Sequence, residues 1–260
     1  MVYNNMRYFV IIIIILLSIR NCYCSNKSLS PQSLIKDNNA ISSIILSVNQ
    51  VSPLAQKLFK ENFIFDGQNI LSIGAGSGID EEYFSKKCAV KVLGTDIKDE
   101  MVDYAKTKSN QNLEFKKLNI TKEFNLEPKF NLIYARNLLH YFGNSQLKFL
   151  LKEVFKTLRH DGRFVFQLKS KKDYYFNSPD IIREFREDGF VFLPQLGYSR
   201  NFLNEREIKS LLNEFGFEIE IMYESKERMY TDEHDSNLLT VIAKKRENIK
   251  VSNYKTSISS

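Results

Sequence analysis

The sequence predicts an α/β fold in which one mostly parallel sheet carries helices on both faces. Three observations predict it. Short apolar runs recur along the chain with helical patterns between them, the first run ends in a cluster of glycines, and an acid closes the second. Strands that alternate with helices pair in parallel through right-handed crossovers, and strands buried on both faces read as continuous apolar runs.

The elements follow in order. Residues 25–60 read as an N-terminal helical lead-in, polar at first, then two short helical patterns broken at Pro53. Residues 69–73 form the first strand, which runs into Gly74, Gly76 and Gly78, and residues 88–95, 113–118, 130–135 and 163–168 give four more. The clearest helix spans 145–159, where Leu147, Leu150, Leu151, Val154 and Leu158 repeat at three- and four-residue steps to make one apolar stripe. Asn144 reads as its cap, and Gly162 stands just beyond its end. The rhythm then changes: residues 171–203 are rich in aromatics, without a clean period, and read as a cap inserted in a domain spanning 61–245. Asn204 with Glu207 three residues on predicts a capping box, Ile208, Leu211, Leu212 and Phe215 the stripe of the helix behind it, and Gly216 its end. Residues 217–223 and 238–243 are the last two strands, and 246–260 a flexible tail.

Composition narrows the class. At 260 residues, 43% apolar and 26% charged, the chain has ample material for one core and is not a disordered polymer. Three cysteines and three scattered histidines offer no metal-ligand spacing, so no metal is expected. The net charge of +6 is spread among acids rather than gathered on one face, so no nucleic acid is expected as a partner. Residues 8–19 are uncharged and apolar behind Arg7. A bilayer-spanning helix needs about 20 such residues, so this shorter run fits a signal-peptide core, with cleavage after Cys24, or a membrane anchor. Residues 1–24 therefore predict the secretory pathway or membrane attachment, with a cytosol-facing domain if the protein uses a cytosolic cofactor.

The glycines and the acid carry the chemistry. Open parallel sheets bind ligands at the carboxyl ends of their strands. Glycines there let the main chain turn sharply and approach a ligand closely. Asp96, 18 residues after Gly78, stands at the end of the second strand, where a carboxylate can accept hydrogen bonds from both hydroxyls of a ribose. Together they imply a nucleoside-containing ligand. A dinucleotide fingerprint wants glycine at its sixth position, and Ile79 stands there, which disfavours a nicotinamide-dependent oxidoreductase.

With ILSIGAGSG (70–78), VLGTDIKDEMVDYAK (92–106), FNLIYARNLLHYF (130–142) and LRHDGRFVF (158–166), the chain resembles the class I S-adenosylmethionine-dependent methyltransferases over about residues 60–245. QLKSKKD (167–173) and the segment around Arg200 look like the small-molecule branch related to tellurite-resistance methyltransferases. The resemblance implies a Rossmann-like sheet of seven strands with the last antiparallel, and S-adenosyl-L-methionine as cofactor. It implies that Gly74, Ala75, Gly76 and Gly78 line the methionine and ribose side and that Asp96 holds the ribose. Ile97 and Met101 would pack near the adenine, Asn119 and Ile120 would meet its edge, and Ala135 and Arg136 would face the methionine part. The family often has an acid two residues before the first glycine; Ser72 stands there and implies a weakened contact with the cofactor's ammonium group.

Methyl transfer needs a nucleophile aligned with the sulfonium, and a base only if that nucleophile arrives protonated. His140 is the candidate base, and Arg136 a candidate for binding a substrate carboxylate or phosphate. Packing under the next element for His140, and a surface ion pair for Arg136, are the competing structural explanations. Lys169, Tyr198 and Arg200 are candidates for a polar lining under the cap. The expected function is methyl transfer to a small molecule. The alternative is a catalytically silent binding module of the same fold, exported or membrane-attached, which Ser72 and residues 8–19 favour.

Overall fold

The computed structural model describes residues 50–122, 124, 126, 130–228 and 234–246; the apolar run at 8–19, the first of the two expected lead-in helices and residues 247–260 lie outside them. Helix α1 (Pro53–Lys60) opens on Ser52, whose Oγ accepts from Ala55 N, with Pro53 at the first helical position where its missing N–H costs nothing. Then follow β1 (Asn69–Ile73), α2 (Ile79–Lys87), β2 (Lys91–Asp96), α3 (Asp99–Lys106), β3 (Leu113–Lys117) and β4 (Phe130–Arg136). A short 3-10 turn at Leu139–Tyr141 leads to α4 (Asn144–Thr157) and β5 (Leu158–Lys169). The cap holds α5 (Tyr174–Asn177), β6 (Glu184–Phe185), β7 (Phe190–Leu193) and β8 (Tyr198–Asn201), and α6 (Glu205–Glu214), β9 (Phe217–Arg228) and β10 (Asp235–Lys245) close the chain.

Seven strands make one sheet in the order β3-β2-β1-β4-β5-β10-β9, as the resemblance implies. The first five pair in parallel, and β10 runs antiparallel to both β5 and β9. One face packs against α4 and α6 through Leu147, Leu151, Val154, Ile208 and Leu212. The other packs against α1, α2 and α3 through Leu54, Leu58, Phe84, Val102 and Ala105. Burying each of these larger side chains, all but Ala105, contributes about 1.5–3 kcal/mol. The helices therefore fix the carboxyl edge of the sheet, where β1, β2, β4 and β5 all end.

Several boundaries differ from the sequence reading for local reasons. β2 starts at Lys91 because Cys88 is the C-cap of α2. α4 is capped by Gly143, whose N donates to Gln146 Oε1, while Asn144 turns its Oδ1 to Asn201 Nδ2 at 3.0 Å. β5 begins five residues earlier than expected: Leu158 already pairs with Phe130, and residues 159–162 loop out between that pair and Leu132 with Arg163. β9 and β10 form a hairpin longer than its apolar centre, because their polar outer residues pair along the sheet edge. The Asn204–Glu207 capping box and Gly216, with φ at 81°, stand as expected. Residues 171–203 contain a three-stranded antiparallel sheet, β6-β7-β8, with its own cluster of Tyr175, Val191, Leu193 and Phe202.

Candidate active site

The main chain leaves β1 through three left-handed residues, Gly74 (φ 74°), Gly76 (φ 55°) and Gly78 (φ 75°). An L-side chain pays about 1–2 kcal/mol in that region, which is why the turn is written in glycine. Three hydrogen bonds hold it: Ala75 N to Thr95 O at 2.8 Å, Gly78 N to Ala75 O at 3.0 Å, and Gly76 N to Asp96 Oδ2 at 3.1 Å. Asp96 also receives Lys98 N on its other oxygen at 3.0 Å. The glycine turn and the acid, read separately in the sequence, thus meet directly.

The three glycines serve different ends. A Cβ on Gly78 would stand 2.5 Å from Phe115 Cζ, and one on Gly74 2.8 Å from Leu138 Cδ1, so packing excludes side chains at both. A Cβ on Gly76 would meet nothing within 4 Å. Gly76 is the residue that turns bare main chain towards open space beside Asp96. Next to it Ile97 exposes 52% of its surface, a large apolar side chain without a cover, and Met101 is half-buried.

The other expected residues are engaged within the chain. Ala75 is half-buried and packs on the α2 side of the sheet. Asn119 commits its Oδ1 to a turn, accepting from Thr121 N at 3.0 Å and from Thr121 Oγ1 at 2.6 Å. Ile120 and Ala135 are buried in the core shared with α4 and α6.

Beyond β4 the polar groups are assembled from distant chain segments. Arg136 lies 3.3 Å from Glu227 Oε2, and Glu227 Oε1 accepts from Gln167 Nε2 at 2.8 Å. His140 is 2% exposed, and its Nδ1 accepts from Lys169 N at 3.4 Å. Burial first, then the charges of Arg200 and Lys169, hold its pKa well below the ordinary histidine range, so the ring is neutral and packed. Lys169 Nζ donates to Ser236 Oγ at 2.7 Å and lies 3.6 Å from Asp173. The guanidinium of Arg200 lies 4.0 Å from the ring centres of both Tyr141 and Tyr198. It donates to Ser199 O, its Nε has no hydrogen-bond partner, and no carboxylate pairs with it among the described residues.

Three groups at this edge escaped the sequence reading. Leu138 packs on Gly74. Asp80 accepts from Ser52 N and Ser52 Oγ at 2.8 and 2.7 Å and from Tyr134 OH at 2.8 Å, tying α1 to the start of α2. Glu81, 2% exposed, accepts from Ser72 Oγ at 2.5 Å. From sequence, Asp80 and Glu81 are first-turn acids that suit a helix N-terminus. Only the contacts across the sheet distinguish them.

An adenosine-bearing sulfonium fits these residues. The opening at Gly76 admits a ligand against main chain. Asp96 keeps unused lone pairs for ribose hydroxyls, and one buried carboxylate oxygen of Glu81 awaits a donor. No group of three or more potential ligands is arranged for a metal ion among the described residues, and no described helix is long and apolar enough to cross a membrane.

Sheet order, glycine turn and strand-end acid define a class I S-adenosylmethionine-dependent methyltransferase fold. A methyltransferase-domain family matches residues 48–220, and the chain belongs to that family. It is 28% identical over 178 residues to a malonyl-acyl-carrier-protein O-methyltransferase of Ilyobacter polytropus, covering 66% of this chain and 63% of that protein. It is 32% identical over 138 residues to a ribosomal protein methyltransferase of Lactobacillus johnsonii, covering 52% of this chain and 40% of that one. The chain thus spans less than two thirds of either relative. Among solved structures, a S-adenosylmethionine-dependent methyltransferase of Methanosarcina mazei superposes with a TM-score of 0.60 at 22% identity, over 75% of this chain and 98% of that one, a likeness of fold.

Proposed function

We propose that the protein transfers the methyl group of S-adenosyl-L-methionine to a small molecule carrying a negative charge. The single observation that carries the cofactor half is the bond from Gly76 N to Asp96, at the one glycine of the turn that faces open space. When bound, the cofactor supplies an electrophilic methyl group. Asp96 accepts the ribose hydroxyls, Ile97 and Met101 cover the adenine, and the main chain at Gly74, Ala75 and Gly76 follows the ligand. Ile120 and Ala135 support these residues from the core.

Arg200 supports the acceptor's charge. Two tyrosine rings hold its guanidinium in place, so little side-chain freedom is lost when it meets a carboxylate or phosphate. A carboxylate oxygen is itself a nucleophile and needs no base, which agrees with the neutral, buried His140. The relative named for methylating a malonyl-carrier substrate supports an acidic acceptor.

Calorimetric titration of the full chain with S-adenosyl-L-methionine tests the reading. Binding is expected, and Asp96→Ala should weaken it about 100-fold, as the loss of two hydrogen bonds to a charged acceptor implies. Absence of binding by the unaltered protein, or equal binding by Asp96→Ala, refutes it. The alternative, a silent binding module attached to a membrane or exported, draws on residues 8–19 and on Ser72, which stands where an acid is common. Fractionation with a C-terminal tag and protease protection separates the two: a domain outside the cytosol with no transfer activity favours the module.

A further inference from the structure

Among the described residues, Glu81 is the one carboxylate that is buried yet only half satisfied. It stands in the first turn of α2 at 2% exposure. Its Oε1 takes the hydroxyl of Ser72, and its Oε2 has no hydrogen-bond partner. No cation pairs with it in any ion pair among the described residues. Burial and the neighbouring Asp80 push its carboxyl up to about 8, against the Ser72 bond and the Arg136 guanidinium. Ionised here it would be a buried carboxylate with one bare oxygen, which is costly, so the group keeps its proton until a cation reaches it, and a small apolar residue would fill the same place without that cost. The group is therefore best explained by a cationic partner that arrives from outside the chain.

Its position says which partner. Ser72 is fixed by its own carbonyl, which accepts Thr95 Oγ1 at 2.9 Å, and it lies two residues before Gly74. The Ser72–Glu81 bond closes the base of the loop whose open point is Gly76. A ligand that lays its nucleoside along Gly76 and Asp96 brings its other end to this base. We propose that Glu81, steered by Ser72, receives the ammonium group at the amino-acid end of the cofactor, so that α2 supplies the carboxylate that β1 lacks. The proposal rests on the cofactor reading above.

Two probes that differ only at that end test it. S-adenosylhomocysteine carries the amino acid, and 5′-methylthioadenosine is the same kind of nucleoside thioether without it. The unaltered full chain should prefer the first by about 10–100-fold, the range of a hydrogen-bonded charge pair. Glu81→Gln, a neutral isostere, should weaken S-adenosylhomocysteine by about the same factor and leave 5′-methylthioadenosine within about twofold. Moving the acid back to the strand, as Ser72→Asp with Glu81→Thr, should restore most of the preference. If Glu81→Gln weakens both probes equally while the double variant shows no preference, or if Glu81→Gln changes neither, the proposal is overturned. If Glu81→Gln binds neither probe, the preference of the double variant decides. If the unaltered chain binds neither, the cofactor reading itself falls, which is a different result.

Discussion

Around the glycine turn the functional groups come from chain positions close together: Ser72 meets Glu81, and Gly76 meets Asp96 twenty residues on. Beyond β4 they come from far apart. Arg136 meets Glu227, Lys169 meets Ser236, and Arg200 on the cap stacks on Tyr141. The first region is held by main-chain N–H groups and two short-range side chains around a fixed turn, and the second by side chains from five strands and a 3-10 turn. The glycine turn therefore answers to local backbone geometry, whereas the proposed acceptor side depends on contacts that the segment 171–203 brings in, and the two should be separable by mutation.

The largest effect should separate the glycines within the turn. Gly78→Ala combines left-handed strain with a clash on Phe115 and should destabilise the protein by about 3 kcal/mol in urea unfolding. Gly76→Ala bears the strain alone, about 1 kcal/mol, and should lose cofactor affinity instead. Equal stability losses with equal binding would erase the distinction between packing and ligand-facing glycines.

Next comes independence of the two halves. Arg200→Gln should lower kcat/KM for an anionic acceptor by about 10–100-fold and leave cofactor affinity within about twofold. Loss of cofactor binding in that variant would join the regions and break the comparison.

A smaller effect concerns pH. Glu81 holds its proton more tightly folded than unfolded, so the stability it contributes is complete below its ordinary pKa of 4.5 and is lost as pH rises to about 8. His140 is the reverse: its pKa is lowered from 6.5, so its contribution is present above that value and lost as pH falls through it. Between pH 4.5 and 6.5 the two oppose each other. Above 6.5 Glu81 acts alone, and unfolding free energy should fall by up to about 1.4 kcal/mol per pH unit. Glu81→Gln should abolish that fall and expose a loss of stability below pH 6.5 from His140. Unchanged pH profiles measured by thermal unfolding would contradict both burials.

The smallest effect belongs to the cap's outer face. Phe185 exposes 74% of its surface, so Phe185→Ser should shift stability by about 0.5 kcal/mol or less and leave cofactor binding alone. A large loss would mean that the cap's exposed side takes part in folding.

Much of this was legible in one dimension. Apolar runs, their spacing, the Asn204–Glu207 box and the glycine-to-acid interval foretold the sheet, its helices and the turn that meets Asp96, because each depends on residues within a turn or a strand of one another. What stayed hidden has a common cause. Asn144 reads as a cap but is drawn to Asn201, fifty-seven positions away; His140, by sequence either a base or a packed ring, is buried beside Lys169. Ser72 looked like a loss, whereas Glu81 stands against it. Local periodicity and backbone geometry alone were thus enough for the alternation of elements and for the position of the glycine turn and its acid. Which carboxylates are buried, which glycine is open and which cation has no acid among the described residues came from the folded contacts, because burial and pairing are set by neighbours that the chain brings in from a distance.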